Sequence, residues 1–171
     1  DGSDGFKLSG VAGDDRSGGS VSSAGDVNGD GFADLIVGAW AADPAGAFSG
    51  TSYVVFGKAS GFSANLDLSS LDGGNGFKLN GAGTYDFSGG SVSAGDVNGD
   101  GFADLIVGRR FGARVVFGKA TGFAPNIDLS SLDGSSGFTI GGVVGGPDVA
   151  SAGDVNGDGF ADIIIGDCSA T

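Results

Sequence analysis

Nine residues recur three times in this chain with oxygen-bearing side chains at alternate positions. The run Asp-Val-Asn-Gly-Asp-Gly-Phe-Ala-Asp spans Asp26 to Asp34, Asp96 to Asp104 and Asp154 to Asp162. Positions one, three, five and nine are Asp26, Asn28, Asp30 and Asp34 in the first copy and Asp96, Asn98, Asp100 and Asp104 in the second. In the third they are Asp154, Asn156, Asp158 and Asp162. Position seven, which is Phe32, Phe102 or Phe160, can add its carbonyl. This is the oxygen spacing with which a loop wraps a hard cation, calcium above all. Magnesium fits less well, because it prefers to keep several waters and a strict octahedron. Gly29 and Gly31 allow the backbone reversals that turn alternate oxygens inward, and Gly31 stands at position six, where an EF-hand loop also needs glycine. Position twelve is Val37, not a glutamate, so Asp34 has to close the shell. Three neighbouring carboxylates repel one another unless a cation sits among them. The same Asp-Gly and Asn-Gly pairs also serve as plain hairpin turns. What favours the cation is that all three copies keep Asp, Asn, Asp and Asp while the loops around them change length.

The rest of the composition narrows the chemistry. The chain has 171 residues, 21 acidic residues that are all aspartate, eight Lys and Arg, and a net charge of −13. That balance points away from nucleic acid and towards a divalent cation. There is no histidine, and Cys168 is the lone cysteine, so neither a Cys/His zinc site nor an internal disulfide framework is available. No Gly-x-Ser-x-Gly elbow occurs, and an aspartate takes the third glycine position of Gly-x-Gly-x-x-Gly in "GDGFAD". A non-catalytic protein is expected. No apolar stretch of about 18 residues is present, so no membrane-inserted segment is expected. The absence of methionine, even at position 1, reads as a processed or excised segment, and secretion with the signal removed is the expectation.

The loops need a scaffold, and the repeats describe it. "GFKLSG", "GFKLNG" and "GFTIGG" begin at Gly5, Gly76 and Gly137, and the acidic loops at Asp26, Asp96 and Asp154, so the repeat unit is roughly 60 to 70 residues. "VVFGKASGFSANLDLSSLDG" and "VVFGKATGFAPNIDLSSLDG" follow the first two loops. Each unit holds four short apolar runs: "SVSSAGD" enters the loop, "DLIVG" leaves it, "SYVVFGK" follows, and "GFKLNG" comes after a polar connection. These runs read as strands, and 38 glycines leave no helical stripe. Four antiparallel strands per repeat make a β-propeller blade; an up-and-down sandwich is the competing all-β arrangement.

"GGSVSSAGDVNGDGFADLIVGA" followed by "YVVFGK" resembles the FG-GAP repeat of integrin α-subunit propellers and their bacterial relatives. The resemblance implies calcium on the twelve side chains named above, and an extracellular, cell-surface module for adhesion or binding rather than a catalyst. Integrin-like propellers have seven blades, and this chain departs from them by holding fewer than three complete ones.

Naming the strand before each acidic loop A, the chain reads D, A-B-C-D, A-B-C-D, A-B. The expectation is one incomplete propeller segment over residues 1–171, of about two and a half to three blades. Its repeats lie near 11–81, 82–142 and 143–171, the last truncated, with 1–10 a strand of a preceding blade. Unpaired edges at either end call for other copies of the chain or the remainder of a larger propeller, and Cys168 falls near one of them. Alternation places the A-B loops and C-D connections on one face and the B-C and D-A loops on the other. The second face varies between repeats, which suits recognition of a glycan or a protein. Trp40, Arg109 and Arg110 are the candidates there. Packing against a neighbouring loop competes with a sugar platform for Trp40, and salt bridging competes with an anion site for the arginines. The expected function is a secreted calcium-binding propeller for adhesion or ligand recognition; the alternative is a structural subunit that assembles through its blade edges.

Overall fold

The computed structural model describes residues 2, 4–120, 122–143, 145–146 and 148–167, so Cys168 lies outside the described residues. The chain is all-β. Strands β2 (Ser20–Gly25), β3 (Asp34–Ala39), β4 (Thr51–Val55) and β6 (Gly76–Asn80) form one antiparallel sheet in the spatial order A-B-C-D. Strands β7 (Val92–Gly95), β8 (Asp104–Arg109), β9 (Gly112–Val116) and β11 (Gly137–Gly141) form a second. Strands β12 (Asp148–Gly153) and β13 (Asp162–Gly166) pair as A and B of a third. These are propeller blades in an incomplete ring, two of them with all four strands.

Side-chain alternation explains the stacking. Along β3, Ile36 faces the second blade and Val37 faces away from it; along β8, Leu105 and Val107 face the first blade and Ile106 the third. The main core therefore lies between blades one and two, where Ile36, Val54, Phe77 and Leu79 meet Val92, Leu105, Val107 and Leu129. Strands covered on both sides read as unbroken apolar runs, which is why "DLIVG" does not alternate with polar residues.

Each C-D connection contributes a short strand of its own. β5 (Asn65–Asp67) pairs in parallel with β1 (Lys7–Ser9), the D strand that precedes blade one, and β10 (Asn126–Asp128) pairs in parallel with β6. Each blade thus adds a strand to the outer edge of the blade before it. A phenylalanine stack accompanies both additions. Phe62 lies on Phe6 with ring centroids 4.1 Å apart, and Phe123 lies on Phe77 at 4.4 Å. Phe138, the matching residue of β11, has Phe117 at 5.8 Å and is 36% exposed.

Candidate functional site

The three acidic loops join A to B in each blade and share one conformation. Gly29 and Gly31 have φ of 73° and 87°, Gly99 and Gly101 of 74° and 88°, and Gly157 and Gly159 of 78° and 91°. These left-handed positions favour glycine and let the loop curl around its first aspartate. Asp26 Oδ1 accepts from the N–H groups of Gly29 (2.7 Å) and Asp30 (3.1 Å), and its Oδ2 accepts from Gly31 N–H (2.9 Å). Asp30 accepts from Phe32 N–H and from the Asn28 amide, each at 2.9 Å. The same bonds to the position-one aspartate recur at Asp96 and Asp154. In the third loop they hold the exposed Asp154 carboxyl below its ordinary range, the Gly159 bond foremost.

Position nine differs from the others. Asp34 is fully buried, and its two oxygens accept from Val27 N–H and Gly57 N–H, both at 2.8 Å. Asp104 is also fully buried and binds Val97 N–H at 2.8 Å and Gly118 N–H at 2.9 Å. Gly57 and Gly118 are the glycines of the two "VVFGK" runs, so this aspartate ties the loop to the end of strand C. Burial pushes both carboxyls above the ordinary value, against the pull of the backbone bonds, and neighbouring loop carboxylates push the same way: Asp30 and Asp26 at Asp34, Asp100 at Asp104. Asp162 keeps the Val155 bond at 2.8 Å and takes the Asn156 amide at 3.4 Å. Among the described residues, no three acidic side chains converge closely enough to form a ready-made metal centre. What the loops do supply is an all-oxygen donor set, over a buried carboxylate in the first two and the half-buried Asp162 in the third, and that chemistry fits calcium.

The loops are joined in a row. Ala103 N–H donates to the Asp26 carbonyl at 3.0 Å, and Ala161 N–H to the Asp96 carbonyl at 2.7 Å. A Cβ at Gly29 would fall on the Phe102 ring, and one at Gly99 on Phe160. The position-seven phenylalanine of one loop therefore packs over the position-four glycine of the loop before it.

The opposite face gathers the other candidates. Trp40, Arg109 and Arg110 line one cleft of about 570 Å³ with Phe87, Phe111 and Asp148. Trp40 also belongs to an aromatic cluster with Phe48, Tyr85 and Phe87, whose neighbouring ring centroids lie between 5.8 and 6.3 Å apart. Phe48, Tyr85 and Phe87 have φ of 51°, 59° and 53°, a region that disfavours non-glycine residues by roughly 1–2 kcal/mol each. The B-C loop of blade one and the D-A loop after it hold them there. Tyr85 N–H donates to Ala47, Phe87 N–H to Phe48 and Ser88 N–H to Ser49, at 2.7, 2.9 and 3.2 Å.

Beneath the cleft, Asp86 accepts from Arg109 at 3.2 Å and from Arg114 at 2.6 Å, with Arg114 buried and Asp86 largely so. Burial raises the Asp86 carboxyl, but Arg114, the Ala82 N–H and the Ser88 hydroxyl more than reverse this and hold it below its ordinary value. Arg110 lies over the Phe87 and Phe111 rings, 6.0 and 5.0 Å from their centroids. Reading the sequence alone missed Phe48, Tyr85, Asp86, Phe87 and Arg114. One signal pointed to two of them: Phe-Ser-Gly occurs at Phe48 to Gly50 and again at Phe87 to Gly89, the two segments that bond to each other.

Residues 17–55 and 88–122 each match the family model described as FG-GAP repeat. A search of curated proteins finds no match to the chain.

Proposed function

For an FG-GAP repeat chain built in this way, we propose a secreted, calcium-binding propeller module that recognises a ligand and carries out no catalysis. FG-GAP repeats occur in extracellular proteins, and no described helix is long and apolar enough to cross a membrane. The observation that carries the calcium reading is position nine of the first two loops: a buried carboxylate, Asp34 or Asp104, raised by burial and by like-charged neighbours, under a loop whose remaining donors are all oxygens. Asp26, Asn28, Asp30 and Asp34 with the Phe32 carbonyl would hold one ion. The corresponding sets are Asp96, Asn98, Asp100, Asp104 and Phe102, and Asp154, Asn156, Asp158, Asp162 and Phe160. The ion's chemical contribution is to neutralise adjacent carboxylates. Isothermal titration of chelator-treated protein with calcium and with magnesium tests this. Up to three calcium ions should bind, and more tightly than magnesium. A flat calcium isotherm together with an unchanged melting curve in excess chelator defeats the reading.

A second reading, assembly through blade edges, rests on its own observation. β1 and β6 each carry a parallel strand and a phenylalanine stack, whereas among the described residues β11 carries neither and Phe138 stays partly open. Ile164 of β13 is 59% exposed. Sedimentation over a range of concentrations tests it; a stable 16.4 kDa species throughout counts against it.

A further inference from the structure

We propose that the cleft between Trp40, Phe87 and Phe111 binds a saccharide bearing a carboxylate, with Arg109 and Arg110 receiving the acid group. This rests on the ligand-recognition reading above and names the ligand class. Charge supplies the first argument. In a chain of net charge −13, three of the four arginines, Arg109, Arg110 and Arg114, sit together at this end of blade two, and Asp86 alone pairs with two of them. Among the described residues Arg110 has no carboxylate partner. It rests on the faces of Phe87 and Phe111, which leaves its edge donors for a planar anion. Arg109 Nε is buried without a hydrogen-bond partner among the described residues, although an unpaired buried donor is costly. Asp86 engages Arg109 Nη1, and Nη2 is left for an acceptor in the cleft that both arginines line.

The walls supply the second argument. Aromatic faces match the C–H faces of a pyranose, and a cleft of about 570 Å³ accommodates one or two sugar rings. Asp148 narrows the choice of anion. A carboxylate on the cleft wall accepts from hydroxyls, and a sugar with a single acid group carries several of these at a distance from its charge, whereas a free sulfate has none and a free phosphate holds its charge and any hydroxyl on the same atom. Preorganisation is the third argument. The left-handed Phe87 is held by its bond to Phe48, and Gly146 N–H donates to the Arg110 carbonyl at 3.2 Å, closing the cleft from the third blade. Strain kept at an exposed aromatic surface, and offset by the hydrogen bonds around it, is the pattern of a site built to bind.

The test uses the whole calcium-treated chain in microcalorimetric titration against a galacturonic acid trimer, a glucuronic acid disaccharide and sialyllactose, with cellobiose and lactose as neutral controls. At least one acidic sugar should bind about tenfold more tightly than the neutral ones, and Arg110→Gln should remove that preference. Trp40→Ala should weaken acidic and neutral sugars together. Arg110 is exposed and far from the acidic loops, so Arg110→Gln should keep the parent's melting temperature and calcium response; the same comparison for Trp40→Ala separates lost binding from lost folding. Equal binding of acidic and neutral sugars overturns the assignment of the acid group but leaves recognition standing. No sugar binding by a folded, calcium-responsive protein overturns the saccharide assignment itself.

Discussion

Phe77 and Phe138 occupy the same place in the repeat, the second residue of a D strand, yet their truncation should have very different consequences. Phe77 is fully buried, with Phe123 stacked on it at 4.4 Å and Phe56 tilted against it at 5.7 Å. Phe77→Ala opens a cavity at the junction of blades one and two that neither ring can fill without leaving the other. The expected loss is about 4 kcal/mol, the middle of the range for a buried phenylalanine. Phe138 is 36% exposed and among the described residues has one ring neighbour, at 5.8 Å, so Phe138→Ala should cost about 1–2 kcal/mol. For a domain of this size the melting temperature should fall by about 8–16 °C in the first variant and about 2–8 °C in the second. Thermal unfolding followed by circular dichroism at low micromolar protein reads both. Equal losses in dilute protein would refute the idea that the strand and phenylalanine handed over from the next blade separate the two positions. A Phe138 loss that grows with protein concentration would show instead that another copy covers the β11 edge.

Four further outcomes are expected. Chelation should lower the melting temperature of the parent, and Asp30→Ala should reproduce part of that loss and weaken its response to calcium; a variant that melts like the parent in both conditions contradicts the metal assignment. Asp34→Asn should cost about 1–3 kcal/mol even in chelator, because its amide must turn a donor towards either Val27 N–H or Gly57 N–H, and urea unfolding measures this. Asp86→Ala leaves Arg114 buried without its carboxylate partner and should cost about 3–5 kcal/mol, against about 1 kcal/mol or less for Arg16→Ala, an exposed arginine with no ion pair among the described residues; comparable losses would remove the importance given to the pair. Asp86 and Asp133 are held below the ordinary aspartate value of 3.8, Asp133 at about 2, so their stabilising contribution is complete above 3.8 and lost as pH falls through their folded values. Melting temperature should therefore drop below pH 3.8 and less steeply in Asp133→Asn, and an identical acid limb in that variant would exclude its contribution.

Much of the architecture was legible because it is written in local, repeated patterns. Short β-branched runs between glycine-rich turns specify strands wherever they lie, and three returns of one nonapeptide specify a repeat. The alternation of A, B, C and D and the division of loops between two faces follow from strand direction alone. The conformation of the acidic loops was legible for the same reason: the position-one aspartate bonds to N–H groups three to five residues further on, so spacing carries the geometry.

The remaining features depend on which segments meet. "ANLD" and "PNID" read as polar connection, but each is held as a strand by a D strand of the preceding blade, with Asn65 paired to Lys7 and Asn126 paired to Lys78. Asp34 read as one more candidate cation ligand, and only the arrival of Gly57 from the end of strand C makes it a buried tie. Trp40, Arg109 and Arg110 were visible singly as candidates. Their meeting in one cleft with Phe87 and Asp148 required two blades and the connection to a third to stack. Sequence determined the blade and its acidic loop, because both are satisfied by bonds between near neighbours. Tertiary structure decided the burial of position nine, the different fates of Phe77 and Phe138 and the composition of the cleft, because each depends on groups supplied by another blade.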